Sequence, residues 1–165
     1  MNATMRTLGA KIEVEDTVVG TFTYSSGSVG SLEVTTAARP NDFEESISIV
    51  GSKGLAQIGG VAVNELQIFT PDPEVCSDYS EDFSSCIYGN GHEKVYKDIY
   101  YSLSNGRDFF ITQEDCAQSI KLLHAFYRSD EKRDWQNVNE DGESSRLGRD
   151  DEEISKLYRT IIDVS

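Results

Sequence analysis

Between Val14 and Thr70 apolar and polar residues alternate with a period of two, the pattern of half-buried β-strands. In TVVGTFTY, residues 17–24, Val18, Phe22 and Tyr24 share one face while Thr17, Thr21 and Thr23 share the other. The Ser25–Ser28 link, SSGS, predicts a turn into VGSLEVTT, residues 29–36. A second pair follows, with EESISIV and LAQIGG joined through Gly51–Gly54, and then a further strand, VAVNELQIFT. Pro71 and Pro73 close the strand region. Four or five strands with short turns predict a mostly antiparallel sheet.

The period changes after an acidic, Ser-rich stretch at 72–85, DPEVCSDYSEDFSS, which reads as an exposed loop. Val95, Ile99 and Leu103, joined by Tyr96 and Tyr100, form one helical stripe that Asn105-Gly106 ends. Thr112 with Asp115 three residues on predicts a capping box for a second helix, whose buried face would carry Cys116, Ile120, Leu123 and Tyr127. From 129 to 151 the chain is charged and poor in apolar residues, which reads as an arm. Ile154, Leu157, Tyr158, Ile161 and Ile162 then return to helical spacing behind acidic DDEE. The expected division is a sheet-plus-helix domain at 1–129, a charged arm or linker at 130–150 and a short amphipathic helix at 151–165.

Strands first and helices second, without β-α alternation, predict an α+β fold: an open sheet with helices packed on one face and no Rossmann domain. Its other face carries Val19, Val50 and neighbouring apolar residues, which predicts self-association.

The chain has 165 residues, room for one domain with a real core. A formal net charge of −14 argues against nucleic acid and anionic membrane surfaces as partners. Three cysteines without a C-x-x-C spacing argue against a disulfide framework or zinc site and for reduced thiols in the cytoplasm. The segment MNATMRTLGAKIEVED has no apolar h-region of a signal peptide, and no run reaches the roughly 18 apolar residues of a membrane span.

The candidate chemistry centres on Gly89-Asn90-Gly91-His92. A dinucleotide fingerprint, G-x-G-x-x-G, would need a third glycine where Lys94 stands, and no β-α-β unit surrounds it. What remains is a helix start preceded by Asn90 and His92. Its free N–H groups favour an anion and the imidazole could donate or shuttle a proton, or the segment is only a turn with His92 at the helix end. Arg39, before Pro40, could clamp a carboxylate or phosphate bidentately, or pair with Asp42, Glu44 or Glu45. His124 reads as a satisfied packing residue, and Arg146 and Arg149 as partners of the acids around them. Neither a catalytic triad nor a metal-ligand spacing stands out.

The run VEDTVVGTFTYSSGSVGSLEVTTAARPNDFEESISIVGSKGLAQIGGVAVNELQIF, followed by YGNGHEKVYKDI, resembles the C-terminal domain of the Gfo/Idh/MocA oxidoreductases. TTAARP-DFEES, GNGH---YKD and RLGR are similar to the branch that oxidises UDP-N-acetylglucosaminuronic acid (UDP-GlcNAcA) at C3 in lipopolysaccharide synthesis. The resemblance implies an NAD(P)-binding Rossmann domain before this one, an active site between the two, and a homodimer or homotetramer built through the open sheet face. The glycine fingerprint, the E-K-P lysine and the D-x-G-x-H-x-x-D segment with its histidine are absent here. No catalytic residue is therefore assigned, no cofactor or metal is expected in this chain, and the chain alone is expected to be inactive, as a truncated piece of the enzyme. Arg39, Asn90, His92, Tyr96 and Lys97 are the residues implied to position an anionic UDP-sugar. The competing expectation is a non-catalytic assembly or binding module that keeps only the sheet domain.

Overall fold

A computed structural model describes residues 1–12, 14–41, 44–83, 89 and 91–147. The chain divides into two compact units, one of Met1–Ala38 with Ile111–Ser165 and one of Arg39–Phe110.

In the first unit β1 (Asn2–Arg6), β2 (Thr17–Thr23) and β3 (Val29–Thr35) form an antiparallel ladder in the order β1-β2-β3. The turn at 25–28 is closed by Tyr24 N–H on Ser28 O at 2.9 Å and by Gly27, whose φ of 88° suits glycine. The period of two decides which face is buried. Val18, Phe22 and Leu32 pack toward the core with Met1, Ala3 and Met5, while the threonines of β2 face outward. Helix α2 (Gln113–Lys132) completes this core through Ala125, Phe126 and Tyr127. Phe126 stands edge-on to Phe22 at 5.8 Å between ring centroids. It approaches that closely because β2 offers Gly20, where a Cβ would stand 3.0 Å from the Phe126 ring.

β1 is a strand beyond those the alternation pattern delineated. Its five residues contain no β-branched apolar side chain, so its place follows from pairing with β2 and from burial of Ala3 and Met5. The capping box of α2 is present: Asp115 N–H donates to Thr112 Oγ1 at 3.1 Å, and Thr112 N–H to Asp115 Oδ2 at 3.0 Å.

Burial along α2 departs from the expected stripe. Residues 125–130 are buried around the whole helix, whereas Cys116 and Ile120 are exposed and Leu123 is only partly covered. The cause is the arm at 133–147, which lies on the last turns of α2 instead of behaving as a free linker. Arg128 donates to the carbonyls of Gly142, Asn137 (3.1 Å) and Glu140 (3.5 Å). Asp130, 2% exposed, pairs with Arg146 (2.8 Å), Arg133 (2.9 Å) and Arg6 (3.3 Å) and accepts Met5 N–H. Ser144 N–H donates to His124 Nδ1 at 3.1 Å, so this histidine is a satisfied packing residue, and Arg146 pairs with acids. The helix also runs to Lys132, past the expected boundary at 129. The expected C-terminal helix, at 151–165, lies outside the described residues, as does Arg149.

The second unit holds β4 (Ile47–Gly51), β5 (Gly54–Gly59) and β6 (Glu65–Phe69), antiparallel in the order β4-β5-β6. The α+β class and antiparallel pairing thus stand, but the described strands form two three-stranded ladders rather than one continuous sheet. The acidic stretch is more ordered than a loop. Pro73–Tyr79 forms a short 3-10 helix, and Ser80 Oγ accepts Leu66 N–H at 3.0 Å, tying its end to β6. Helix α1 (Gly91–Asn105) follows and ends at Gly106, φ 60°.

Candidate functional site

The first two turns of α1 carry three of the five sequence-derived candidates. His92 and Tyr96 are four residues apart and share a face, while Lys97 lies on the adjoining face with Glu93. All three are exposed, Tyr96 by 70%. Lys97 Nζ pairs with Glu93 at 2.5 Å and Lys94 Nζ with Glu81 at 2.8 Å. The hydrogen bond from Lys94 to Glu81 raises that ammonium group above its ordinary range. The Lys94–Glu81 pair was missed at the sequence level because its partners lie thirteen residues apart. The Glu93–Lys97 pair is readable from its i,i+4 spacing.

Arg39 is exposed at a bend that precedes β4, in the same unit as α1. Asn90 lies outside the described residues, so its contacts are not part of this geometry. The arrangement offers an imidazole, a phenol and two ammonium groups on one exposed stretch of helix. Exposed ion pairs of this type are weak, because water and salt screen them. An anionic ligand can therefore take over either lysine from its carboxylate at small cost.

Glycine at 89 has a conformational reason rather than a phosphate-binding one. Its φ is 63°, and the Phe83 ring fills the space a Cβ would need. A dinucleotide cofactor does not fit the described residues. Their strands form only antiparallel ladders, without the parallel strand–helix–strand crossover that positions a pyrophosphate. Among the described residues no group of three or more His, Cys, Asp or Glu side chains could hold a metal ion. Cys76 and Cys116 are free thiols; Cys86 lies outside the described residues. No described helix is long and apolar enough to cross a membrane.

Elsewhere in this unit an open, mostly apolar groove of about 510 Å³ is lined by Ile99, Ser102, Leu103, Arg107 and Phe109 among others. It sits at the far end of α1 from His92. Arg107 at its edge pairs with Asp98.

Comparison with known proteins gives this geometry a context. Residues 1–57 match the GFO/IDH/MocA C-terminal domain. The WlbA dehydrogenase of Bordetella pertussis, solved in complex with NADH and UDP-GlcNAcA, is 33% identical with a TM-score of 0.70; the match covers 81% of this chain and 40% of that one. The WlbA dehydrogenase of Chromobacterium violaceum, solved with the same two ligands, is also 33% identical with a TM-score of 0.66, over 80% of this chain and 37% of that one. An oxidoreductase domain protein from Kribbella flavida shares the fold at 21% identity, with a TM-score of 0.66 over 84% of this chain and 44% of that one. A search of curated proteins returned no match. The chain spans about two-fifths of the length of the solved proteins it matches. The antiparallel α+β fold, the match over residues 1–57 and the one-third identity over four-fifths of the chain agree: this chain is similar in sequence and fold to the C-terminal domain of the GFO/IDH/MocA oxidoreductases.

Proposed function

We propose that this domain binds substrate and builds the oligomer of an NAD(P)-dependent dehydrogenase that oxidises a UDP-N-acetylglucosaminuronate-type sugar at C3, in the service of lipopolysaccharide synthesis. The observation that carries the reading is 33% identity, over four-fifths of this chain, to two dehydrogenases solved with NADH and UDP-GlcNAcA. Both proteins are more than twice as long as their shared region. In the intact enzyme NAD(P) accepts the hydride, and it is held by polypeptide other than the described residues, which do not fit it.

The work assigned to this chain is orientation. A UDP-uronate carries a diphosphate and a carboxylate, and it needs cationic groups and N–H donors. Arg39 and Lys97 supply charge, Asn90 and His92 supply hydrogen bonds, and Tyr96 supplies a ring or hydroxyl contact. None of these residues is given a proton-transfer role, and the domain alone is inactive because hydride acceptor and proton acceptor both lie elsewhere.

Calorimetric titration of the 165-residue chain with UDP-GlcNAcA tests this reading. Half a cleft supports only weak binding, with Kd of about 1 mM or above. Arg39→Ala or Lys97→Ala weakens it several-fold. Micromolar binding that ignores both substitutions would show that the site lies elsewhere on the domain.

A further inference from the structure

Helix α1 holds three tyrosine rings in water. Its covered residues, Asp98, Ile99 and Ser102, lie on one side of the helix. Tyr96, Tyr100 and Tyr101 lie away from that side and are 70%, 66% and 56% exposed. The solvent face of a helix is ordinarily charged or polar, and a contiguous set of exposed rings marks a place where something binds. Tyr100 and Tyr101 meet edge to face, with ring centroids 5.7 Å apart and planes at 66°. The contact restrains both rings, and each stays more than half exposed.

Charge and rings follow one another along the helix. Lys97 pairs with Glu93, one turn toward the helix start, so its ammonium group lies on the His92 side of Tyr100 and Tyr101. Imidazole and ammonium groups thus stand on the first two turns, and one turn further on the exposed surface is aromatic. A ligand that fits this order carries anionic groups at one end and a flat ring at the other.

We propose that Tyr100, braced by Tyr101, is the stacking platform for the uracil base of a UDP-sugar whose diphosphate lies toward His92 and Lys97. The assignment rests on the reading of a UDP-uronate as substrate and adds to it a residue that holds the nucleotide end. Stacking needs only the face of a ring, and every base has one. Tyr100 lies about 4.5 Å beyond Lys97 and about 12 Å beyond His92 along the helix axis, at about 1.5 Å per residue. A nucleoside diphosphate, with its ribose between base and phosphates, spans that interval. Stacking also supplies attraction that charge does not. The chain carries a net charge of −14, which repels an anionic ligand, whereas the base is neutral.

Fluorotyrosine incorporated at the eight tyrosines of the 165-residue chain makes each ring visible by fluorine NMR, and Tyr100→Phe assigns the Tyr100 resonance by deleting it. UDP-GlcNAcA and UDP should both shift that resonance saturably, while pyrophosphate, which has no base, leaves it in place. Amide shifts at residues 91–98 report the affinity of the variants. Tyr100→Ala should weaken UDP-GlcNAcA binding roughly fivefold or more, and Tyr100→Phe, which keeps the ring, should bind like the parent. UDP-GlcNAcA that shifts amides 91–98 but not the Tyr100 resonance, or that binds Tyr100→Ala as well as the parent, would overturn the platform and leave the substrate reading standing. No saturable shift anywhere on the chain would overturn the substrate reading and the platform with it. A Tyr100 resonance that moves with chain concentration instead of ligand would overturn the platform by assigning the rings to a contact between copies.

Discussion

At the residue scale, the clearest structural centre is Asp16 of the E-D-T-V run. Its carboxylate accepts N–H groups from Leu8 (2.9 Å), Gly9 (2.8 Å) and Ala10 (2.7 Å) and the Thr17 hydroxyl (2.9 Å). Burial alone would raise its pKa, but the backbone donors and Thr17 outweigh that and lower it from 3.8 to about 2. A carboxyl held below its unfolded value stabilises the fold above the unfolded pKa. The contribution is lost as pH falls from near 4 toward 2. Asp16→Asn should therefore cost about 1–3 kcal/mol at neutral pH, with the gap to the parent chain narrowing through that acid window. Urea denaturation at a series of pH values measures it, and a gap independent of pH would contradict the assignment. Asp130 is shifted the same way: burial opposes ionisation, and Arg146, Met5 N–H and Arg133 overcome it. A local spacing revealed the capping pair Thr112 and Asp115, whereas only Arg133 among the partners of Asp130 is local and the others, Arg146 and Arg6, lie 16 and 124 residues away.

At the element scale, strand positions were legible because pairing and the period of two depend on neighbours in sequence. β2, β3 and β6 fall within the segments that alternation marked out, and β4 and β5 each extend one glycine into the Gly51–Gly54 link. Burial was less legible, since a stripe only says which face could be covered. The α1 stripe shows the difference: Leu103 is 81% exposed, and Ser102 is the buried residue of that helix. The contact between β2 and α2 gives a direct test. A side chain at Gly20 meets the Phe126 ring at 3.0 Å and Asn2 O at 3.2 Å, so one of them must move. Gly20→Val should cost about 1–3 kcal/mol by overpacking. Thermal unfolding that leaves Tm unchanged would show that α2 does not press on this strand.

At the scale of the whole molecule, the sheet of the second unit leaves apolar side chains in water. Ile47 pairs across the ladder with Ile58, and Ile49 with Ala56. On that face Ile49 is 62% exposed and Ile47, Ile58 and Phe69 are exposed as well, while Val50, 82% exposed, pairs with Leu55 on the opposite face. Such a surface suits the proposed oligomer. Sedimentation should give a dimer or tetramer for the parent chain and a monomer for Ile49→Asp. A parent chain that stays monomeric at high micromolar concentration would remove that part of the proposal. The candidate ligand site was legible only as residue types at a helix start, because charge and hydrogen-bonding capacity are written in sequence. The ion pair of Lys94 with Glu81 is a property of the fold, whereas that of Lys97 with Glu93 follows from i,i+4 spacing.

The proposed division of labour between this domain and the cofactor-binding polypeptide is tested most directly by amide NMR spectra of the 165-residue chain, recorded with UDP-GlcNAcA and separately with NADH. The sugar nucleotide should shift amides at Arg39 and along residues 91–98 at millimolar concentration, while NADH produces no saturable change. Saturable NADH shifts at micromolar concentration, or sugar-nucleotide shifts that bypass the first two turns of α1, would contradict the account.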